Sequence, residues 1–111
     1  MEKIGVIFYN FSFKNLDEFL NWCAENNVEY AEISKEFLKD LEVLLPKYNV
    51  KISQVTARND FVQRTDEELS EQIKMVGELC KRIKDFGCNQ IRIDGGWPKE
   101  GVAPENYKDL I

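Results

Sequence analysis

Short apolar segments alternate with amphipathic segments along this chain, and that alternation restricts the possible folds more than any other feature. Four apolar segments have the length and the β-branched content of strands, and they lie at about 3–10, 28–33, 50–56 and 90–94. Between them, apolar residues recur at helical spacing at about 16–26, 35–47 and 66–86, and a fourth helix is predicted to start at about 104. Strands separated by helices are parallel and joined by right-handed crossovers. The sequence therefore predicts an α/β fold of four parallel βα units in a single domain, residues 1–111.

Capping residues support the helix assignments. Asn15 is followed three positions later by Glu18, and Thr65 begins a capping box with the sequence TDEE. Ser34 is predicted to cap the second helix, and Gly87 lies where a left-handed residue ends the third. The predicted buried stripe of the third helix comprises Leu69, Ile73, Val76, Cys80 and Ile83.

Composition excludes several classes of function. Fifteen Lys and Arg residues against twenty Asp and Glu residues give a net charge of −5, so nucleic acid is a poor partner. No segment approaches the length of a membrane span or of a signal-peptide core, so no membrane partner and a soluble, cytoplasmic protein are expected. Cys23, Cys80 and Cys88 have no metal-site spacing, and the chain has no histidine, so buried free thiols are predicted.

The turn after the first strand helps to distinguish an open sheet from a barrel. This turn, Asn10-Phe11-Ser12-Phe13, lacks the glycines with which doubly wound sheets bind phosphates. The alternative is half of a (β/α)₈ TIM barrel, a fold that takes about 250 residues to complete. A half-barrel leaves two strand edges unpaired, so a homodimer or the remainder of a longer chain is expected to cover them.

Four segments carry a resemblance to a known family. VEYAEIS at the second strand, VTARNDF after the third, the helix EQIKMVGELCKRIKDFGCNQ and IRIDGGWP at the fourth strand resemble the sugar phosphate isomerases/epimerases, the xylose isomerase-like TIM barrels. The resemblance covers nearly the whole chain and corresponds to the amino-terminal half of that barrel. It is most specific in the fourth-strand segment.

The resemblance implies an active site at the carboxyl ends of the strands and a sugar or sugar phosphate as the small-molecule partner. It also implies metal-assisted proton transfer beside a sugar carbonyl, with a divalent metal held by residues of later strands. No metal is expected on this chain alone, and the isolated chain is expected to be inactive. Many relatives have a histidine near the end of the fourth strand, where this chain has Asp94, and that difference weakens the transfer of catalytic roles.

Five residues are candidate substrate contacts, and each has a structural alternative. Asp94 can bind a sugar hydroxyl or cap its loop through glycine amides, and Trp97 can pack against a sugar ring or anchor the loop. Arg58 can bind a phosphate or carboxylate, although a solvated loop residue is favoured. Asn10 can orient a hydroxyl or cap its own turn. Glu32 interrupts an apolar strand and is the fifth candidate.

Glu32 requires a partner if it is buried. Arg92 on the fourth strand has the opposite charge, and the alternation of side chains along that strand allows it to face the same side of the sheet as Glu32. A structural ion pair between the two residues inside the half-barrel is favoured over a direct substrate contact.

Two other functions remain open at this stage. One is a self-associating structural or binding module without catalysis, in which two half-barrels cover each other's edges. The weaker one is a DNA repair nuclease like endonuclease IV, which shares the barrel, although the acidic charge and the missing histidines disfavour it.

Overall fold

The computed structural model describes residues 5–8, 13–63 and 65–96. Its strands are β1 (Gly5–Ile7), β2 (Tyr30–Ser34), β3 (Lys51–Thr56) and β4 (Ile91–Arg92). Its α-helices are α1 (Leu16–Glu25), α2 (Leu38–Leu44) and α3 (Asp66–Arg82), with 3₁₀ turns at Lys35–Phe37, Leu45–Lys47 and Ile83–Phe86. No helix within these ranges is both long enough and apolar enough to cross a bilayer.

The strands form one parallel sheet in the order β1-β2-β3-β4, which confirms the predicted fold class. Strand order decides between the two α/β architectures, because a doubly wound sheet reverses direction at a switch point and this sheet does not. When every right-handed crossover moves the chain in the same direction, all connecting helices lie on one face of the sheet. The opposite face is the inner wall of an arc.

Several element boundaries differ from the predicted ones by one or two residues. β2 begins at Tyr30 rather than at 28 because the Val28 N–H donates to the Cys23 carbonyl at 2.8 Å and closes the turn after α1. Asn27 has a φ of 58°, in the left-handed region that such a turn uses. The predicted fourth helix lies outside the described residues.

The second predicted helix is divided into three pieces, a 3₁₀ turn, α2 and a second 3₁₀ turn. Pro46 lies in the last piece and has no N–H to continue the α-helical ladder. The prediction that Ser34 caps this helix is wrong, since its hydroxyl donates to the Glu36 carboxylate and makes no hydrogen bond to a backbone N–H. The other caps are confirmed, with Asn15 accepting from the Glu18 N–H at 2.9 Å and Thr65 from the Glu68 N–H at 3.1 Å.

A bulge lets two residues at odd spacing on β3 point into the same core. Ala31 pairs with Ile52, but Glu32 pairs with Gln54, so β3 carries one extra residue. Ile52 and Val55 are three positions apart and are nevertheless both buried. The core that they join lies between the sheet and the helices and includes Phe19, Leu20, Ile33, Leu41 and Ile83.

The buried side of α3 differs from the predicted stripe. Leu79, which the stripe omitted, is 7% exposed and packs in the core, whereas Ile73 is 57% exposed. Cys80 is also exposed, so the prediction that all three thiols are buried is wrong for Cys80 and correct for Cys23 and Cys88. Two residues of the predicted stripe do pack in the core, Ile83 as a buried residue and Val76 as a partly buried one. Gly87 has the predicted left-handed conformation, with φ 71°.

Candidate functional site

The inner face of the sheet carries two rows of side chains near the carboxyl ends of the strands. Strand pairing places Ile7, Glu32 and Gln54 in one row, and Ser34, Thr56 and Arg92 in the next. The residues between these rows, such as Ile33 and Val55, point into the core on the helix side, because side chains alternate between faces along a strand. The inner face is therefore polar where a barrel of this kind has its active site.

Glu32 is the buried charge of this face. The residue is 7% exposed, and its Oε1 accepts a hydrogen bond from the Gln54 amide. Its Oε2 lies 3.7 Å from a terminal nitrogen of Arg92, which confirms the predicted ion pair. Among the described residues, no donor makes a hydrogen bond to Oε2. A buried carboxylate oxygen without a hydrogen bond is costly, and it is available to a donor that enters from the inner side.

Arg58 extends from the loop after β3. Its φ of 51° lies in the left-handed region, which non-glycine residues adopt infrequently. Its Nε lies 3.1 Å from Oε1 of Glu36, and the other oxygen of that carboxylate accepts from the Ser34 hydroxyl. Both side chains of this ion pair are partly exposed, so the pair orients Arg58 and contributes little to stability.

A cleft of about 320 Å³ joins these side chains. Two phenylalanines and Ile7 form its apolar part, and the polar residues come from three consecutive strand ends. The lining residues are Ile7, Phe8, Glu32, Ser34, Phe37, Thr56, Arg58 and Arg92. Apolar walls with a few convergent polar groups are typical of small-molecule sites.

Asp94 is held by its backbone. The Asp94 N–H donates to Oδ1 of Asn59 at 2.9 Å, and the Asn59 amide donates to the Asp94 carbonyl at 2.7 Å. In the described part of the chain, no hydrogen bond joins the Asp94 carboxylate to the amides of Gly95 or Gly96, and Asp94 does not line the cleft. Its role as a substrate contact stays a prediction.

Asn59 was not predicted as a site residue, although it is fully buried. Its side-chain amide takes the place of one peptide group in the β3–β4 ladder. The flanking hydrogen bonds run from the Ala57 N–H to the Arg92 carbonyl (2.9 Å) and from the Phe61 N–H to the Gly95 carbonyl (3.2 Å). No sequence signal marks it, because an asparagine after a strand is usually an exposed turn residue.

Gly96 fixes the second contact between the same two loops. Its φ is 144°, and a Cβ at this position would lie 2.5 Å from Oδ1 of Asp60 and 2.9 Å from the backbone nitrogen of Val62. Only glycine fits such an approach. The loops after β3 and β4 therefore form one connected rim beside the cleft.

The remaining predicted contacts, Asn10 and Trp97, lie outside the described residues. Within the described ranges, no group of three His, Cys, Asp or Glu side chains is placed to hold a metal ion. The two arginines of the cleft also disfavour a cation there. The described residues do not fit a resident metal.

Comparison with known proteins gives a partial sequence match. No protein-family model matches the chain. Histidinol-phosphate aminotransferases of Campylobacter jejuni strains 81-176 and RM1221 are each 32% identical over 87 residues, and that of serotype O:2 is 32% identical over 85 residues. These alignments cover 74%, 74% and 72% of this chain but 21% of each aminotransferase. The chain thus spans about a fifth of the length of the curated relatives that it matches.

A solved structure gives a match over nearly the whole chain. The IolI protein, whose structure contains a bound zinc atom, aligns with 96% of this chain at a TM-score of 0.68 and 19% identity. That protein is a TIM barrel, and the chain covers 43% of it. Together with the sequential strand order, this match shows that the chain has the fold of half a (β/α)₈ TIM barrel.

Proposed function

We propose that this chain supplies the amino-terminal wall of a sugar or sugar phosphate isomerase/epimerase barrel, with the cleft on the inner face contacting the substrate. The observation that carries the proposal is the buried Glu32 carboxylate, whose Oε2 lacks a hydrogen-bond donor among the described residues. A carboxylate oxygen accepts hydrogen bonds only, so the group that completes it must be a donor. Sugars offer a dense array of hydroxyl donors.

The position of Glu32 supports the same proposal. It lies near the carboxyl end of a central strand, where the substrates of TIM barrels bind. The Gln54 amide and the Arg92 guanidinium hold the carboxylate in place, so little side-chain entropy remains to be lost when a hydroxyl binds.

The parent reaction that we propose is metal-assisted proton transfer beside a sugar carbonyl. The described residues offer no metal site and no paired carboxylates in the cleft. The metal ligands and the proton-transfer groups of that reaction would therefore come from outside the described residues. The role of this chain is to bind and orient the substrate.

Aminotransferase activity is not favoured, despite the partial sequence match. Aminotransfer depends on a lysine that forms a Schiff base with the pyridoxal cofactor. No lysine is among the described residues that line the cleft. The sequence match covers 21% of an aminotransferase, and it does not supply the missing Schiff-base lysine.

Self-association is the second candidate, and the sheet edges favour it. In the described part of the chain, β1 and β4 each pair with one strand only. A second copy that placed its β1 beside β4, and its β4 beside β1, would close an eight-stranded barrel with twofold symmetry.

Ligand titration followed by NMR tests the binding role. ¹⁵N-labelled chain is titrated with fructose and with fructose 6-phosphate, and we expect shifts in the amides of Glu32, Ser34, Thr56 and Arg92. Glu32→Gln, which removes the carboxylate, is expected to weaken binding of both ligands by about tenfold. The matched control is Glu29→Gln, because Glu29 is an exposed glutamate near the other end of β2. Equal binding by wild type and Glu32→Gln, or no shifts at all, would contradict the proposal.

An activity assay tests the assignment of the catalytic groups. The chain is assayed with Mg²⁺, Mn²⁺ or Zn²⁺ and with ketose and aldose substrates, and we expect no turnover. Isomerisation by this chain alone would show that its own residues contain the catalytic groups.

A further inference from the structure

We infer that α3 carries a docking site for residues 104–111 of this same chain, on the flank of the helix that faces away from α2. This surface, the outer flank, is formed by the side chains of Leu69, Ile73, Val76 and Cys80. It belongs to the helix layer rather than to the inner cleft, so the inference goes beyond the proposed function and does not depend on it.

The contact between α3 and α2 shows where the outer flank lies. Met75, Leu79 and Arg82 face α2, since they line a groove between the two helices. With about 3.6 residues per turn, the outer flank is about a third of a turn from these residues, on the other side of Leu79 in the core. No helix follows β4 in the described part of the chain, so the outer flank has no neighbouring helix there.

The outer flank is apolar but incompletely buried. Ile73 is 57% exposed, and Cys80 is exposed as well. Leu69 and Val76 are partly buried. All four belong to the stripe that helical periodicity predicts to be buried, so the apolar face of α3 is wider than the face that the described residues cover. The uncovered part fits a second packing partner.

Gly77 borders the outer flank and supports the same conclusion. A Cβ at this position would meet no atom within 4 Å outside the adjoining helix backbone, so no described neighbour requires glycine here. Glycine inside a helix destabilises it relative to alanine, but it lets the backbone of another helix approach closely. The position therefore suits a helix that packs beside α3.

The topology of the chain places its own next helix at this flank. Residues 97–111 follow β4 and lie outside the described residues, and a helix is predicted to start at about 104. A right-handed crossover that leaves β4 in the same direction as the earlier ones puts this helix on the helix-bearing face of the sheet. Its place in that layer is beside α3, on the side away from α2.

The segment 104–111 has an apolar face that needs a partner. Tyr107, Leu110 and Ile111 have i, i+3 and i+4 spacing, which puts them on one side of a helix. Isolated helices shorter than about 12–15 residues are marginal in water, so so short a helix requires an apolar surface to pack against. The outer flank is such a surface. Docking completes the helix layer at this end of the sheet from within the chain.

Helix direction limits how much of the outer flank the segment covers. Both α3 and the helix from 104 start after a strand, at the same edge of the sheet, so they run in the same direction with their first turns side by side. Residues 104–111 span about 12 Å as a helix, which reaches Ile73 but not Cys80, about 10 Å further along α3. The segment therefore covers Ile73 and leaves Cys80 accessible.

Thiol labelling of Ile73→Cys tests the docking in the full chain. Trypsin cleaves after Lys74, so position 73 and Cys80 fall in different peptides and mass spectrometry measures both rates in one molecule. We expect iodoacetamide to alkylate Ile73→Cys about tenfold or more slowly than Cys80, as for a segment that is docked about nine-tenths of the time. Val43→Cys, at a position of α2 that is 66% exposed, is the matched control and should react as fast as Cys80.

A second substitution tests whether the segment is the cover. Leu110→Asp puts a charge in the apolar face, so in combination with Ile73→Cys we expect alkylation at position 73 to become about tenfold faster. Lys108→Asp adds a negative charge outside that face and should leave position 73 protected. In the unsubstituted chain, we expect NOEs between the Ile73 methyl protons and the ring of Tyr107, a measurement that requires no variant to fold.

Three results would overturn the inference. The first is alkylation of Ile73→Cys at the rate of Cys80, together with no NOE between Ile73 and Tyr107. The second is protection that persists in Leu110→Asp and rises with protein concentration, which would identify a second copy as the occupant. The third is protection that persists in Leu110→Asp at every concentration, which would mean that another part of the chain covers Ile73.

Discussion

At the residue scale, Glu32 shows how much the alternation of side chains along a strand can predict. Alternation along β2 limits the side chain to one of two faces, and the opposite charge of Arg92 identifies its partner. The ion pair was therefore predictable from the sequence. The hydrogen bond from Gln54 was not, because it depends on the bulge that brings Gln54 opposite Glu32.

Loss of Arg92 should destabilise the fold more than loss of an exposed ion-pair partner. Arg92→Met leaves the buried Glu32 charge with Gln54 alone, and we expect the free energy of unfolding to fall by about 1–2 kcal/mol, because Arg92 is half-exposed and the pair is partly screened. Lys51→Met, whose partner Glu29 is exposed, is expected to change it by less than about 0.5 kcal/mol.

A double variant tests the cause of this effect. Since Glu32→Gln removes the uncompensated charge, Glu32→Gln/Arg92→Met should be more stable than Arg92→Met alone in urea denaturation. Simple additivity of two destabilising substitutions would mean that the charge is not the cause.

The three thiols should differ in reactivity. Burial raises the pKa of Cys23 to about 11, from an ordinary value of 9.0, so this thiol stays protonated and shielded in the folded chain. Cys80 is exposed, and we expect iodoacetamide to alkylate it first in the native protein, with Cys23 and Cys88 reacting after unfolding. Mass spectrometry of the alkylated peptides measures the order, and rapid native labelling of Cys23 would contradict the described packing.

The same shift predicts a pH dependence with a defined sign. The unfolded chain releases the Cys23 proton near pH 9.0 and the folded chain near 11, so the folded state holds more protons between these values. The free energy of unfolding should therefore decrease as pH rises from 9 to 11. Cys23→Ala is the control, since the part of this decrease due to the thiol should be absent from it.

At the scale of elements, Asn59 joins the ends of β3 and β4. Asn59→Asp keeps the shape but replaces the donor amide with an oxygen that faces the Asp94 carbonyl, so we expect a loss of about 2–3 kcal/mol in the free energy of unfolding. Thermal and urea denaturation measure it. Asn89→Asp, at an exposed position, is the control and should have little effect. A loss no larger than that of the control would mean that the two loops are not joined in solution.

The elements also show where prediction from sequence succeeds and fails. The helix starts at Asn15 and Thr65 and the stop at Gly87 depend on hydrogen bonds within a few residues, so local sequence determines them. The burial of Leu79 and of Asn59 depends on contacts with residues that are distant in the sequence. Periodicity gives a helical stripe, but the packing partner decides which edge of it is buried.

At the scale of the whole molecule, the open arc should self-associate. β1 and β4 leave an edge unpaired in the described part of the sheet, and Ile7 and Ile93 are 38% and 51% exposed. We expect sedimentation velocity to show a dimer whose fraction rises with concentration. A stable monomer at every concentration, without binding of a hydrophobic dye, would argue against an uncovered half-barrel.

Strand order in solution tests the half-barrel most directly. In a ¹³C,¹⁵N-labelled chain, we predict interstrand backbone NOEs between residues flanking the pairs Val6 and Ala31, Ala31 and Ile52, and Val55 and Ile91, which define the order β1-β2-β3-β4. NOEs that place β1 between β2 and β3, the order of a doubly wound sheet, would contradict it. Helices would then cover both faces, and the inner cleft with Glu32 and Arg92 would not exist.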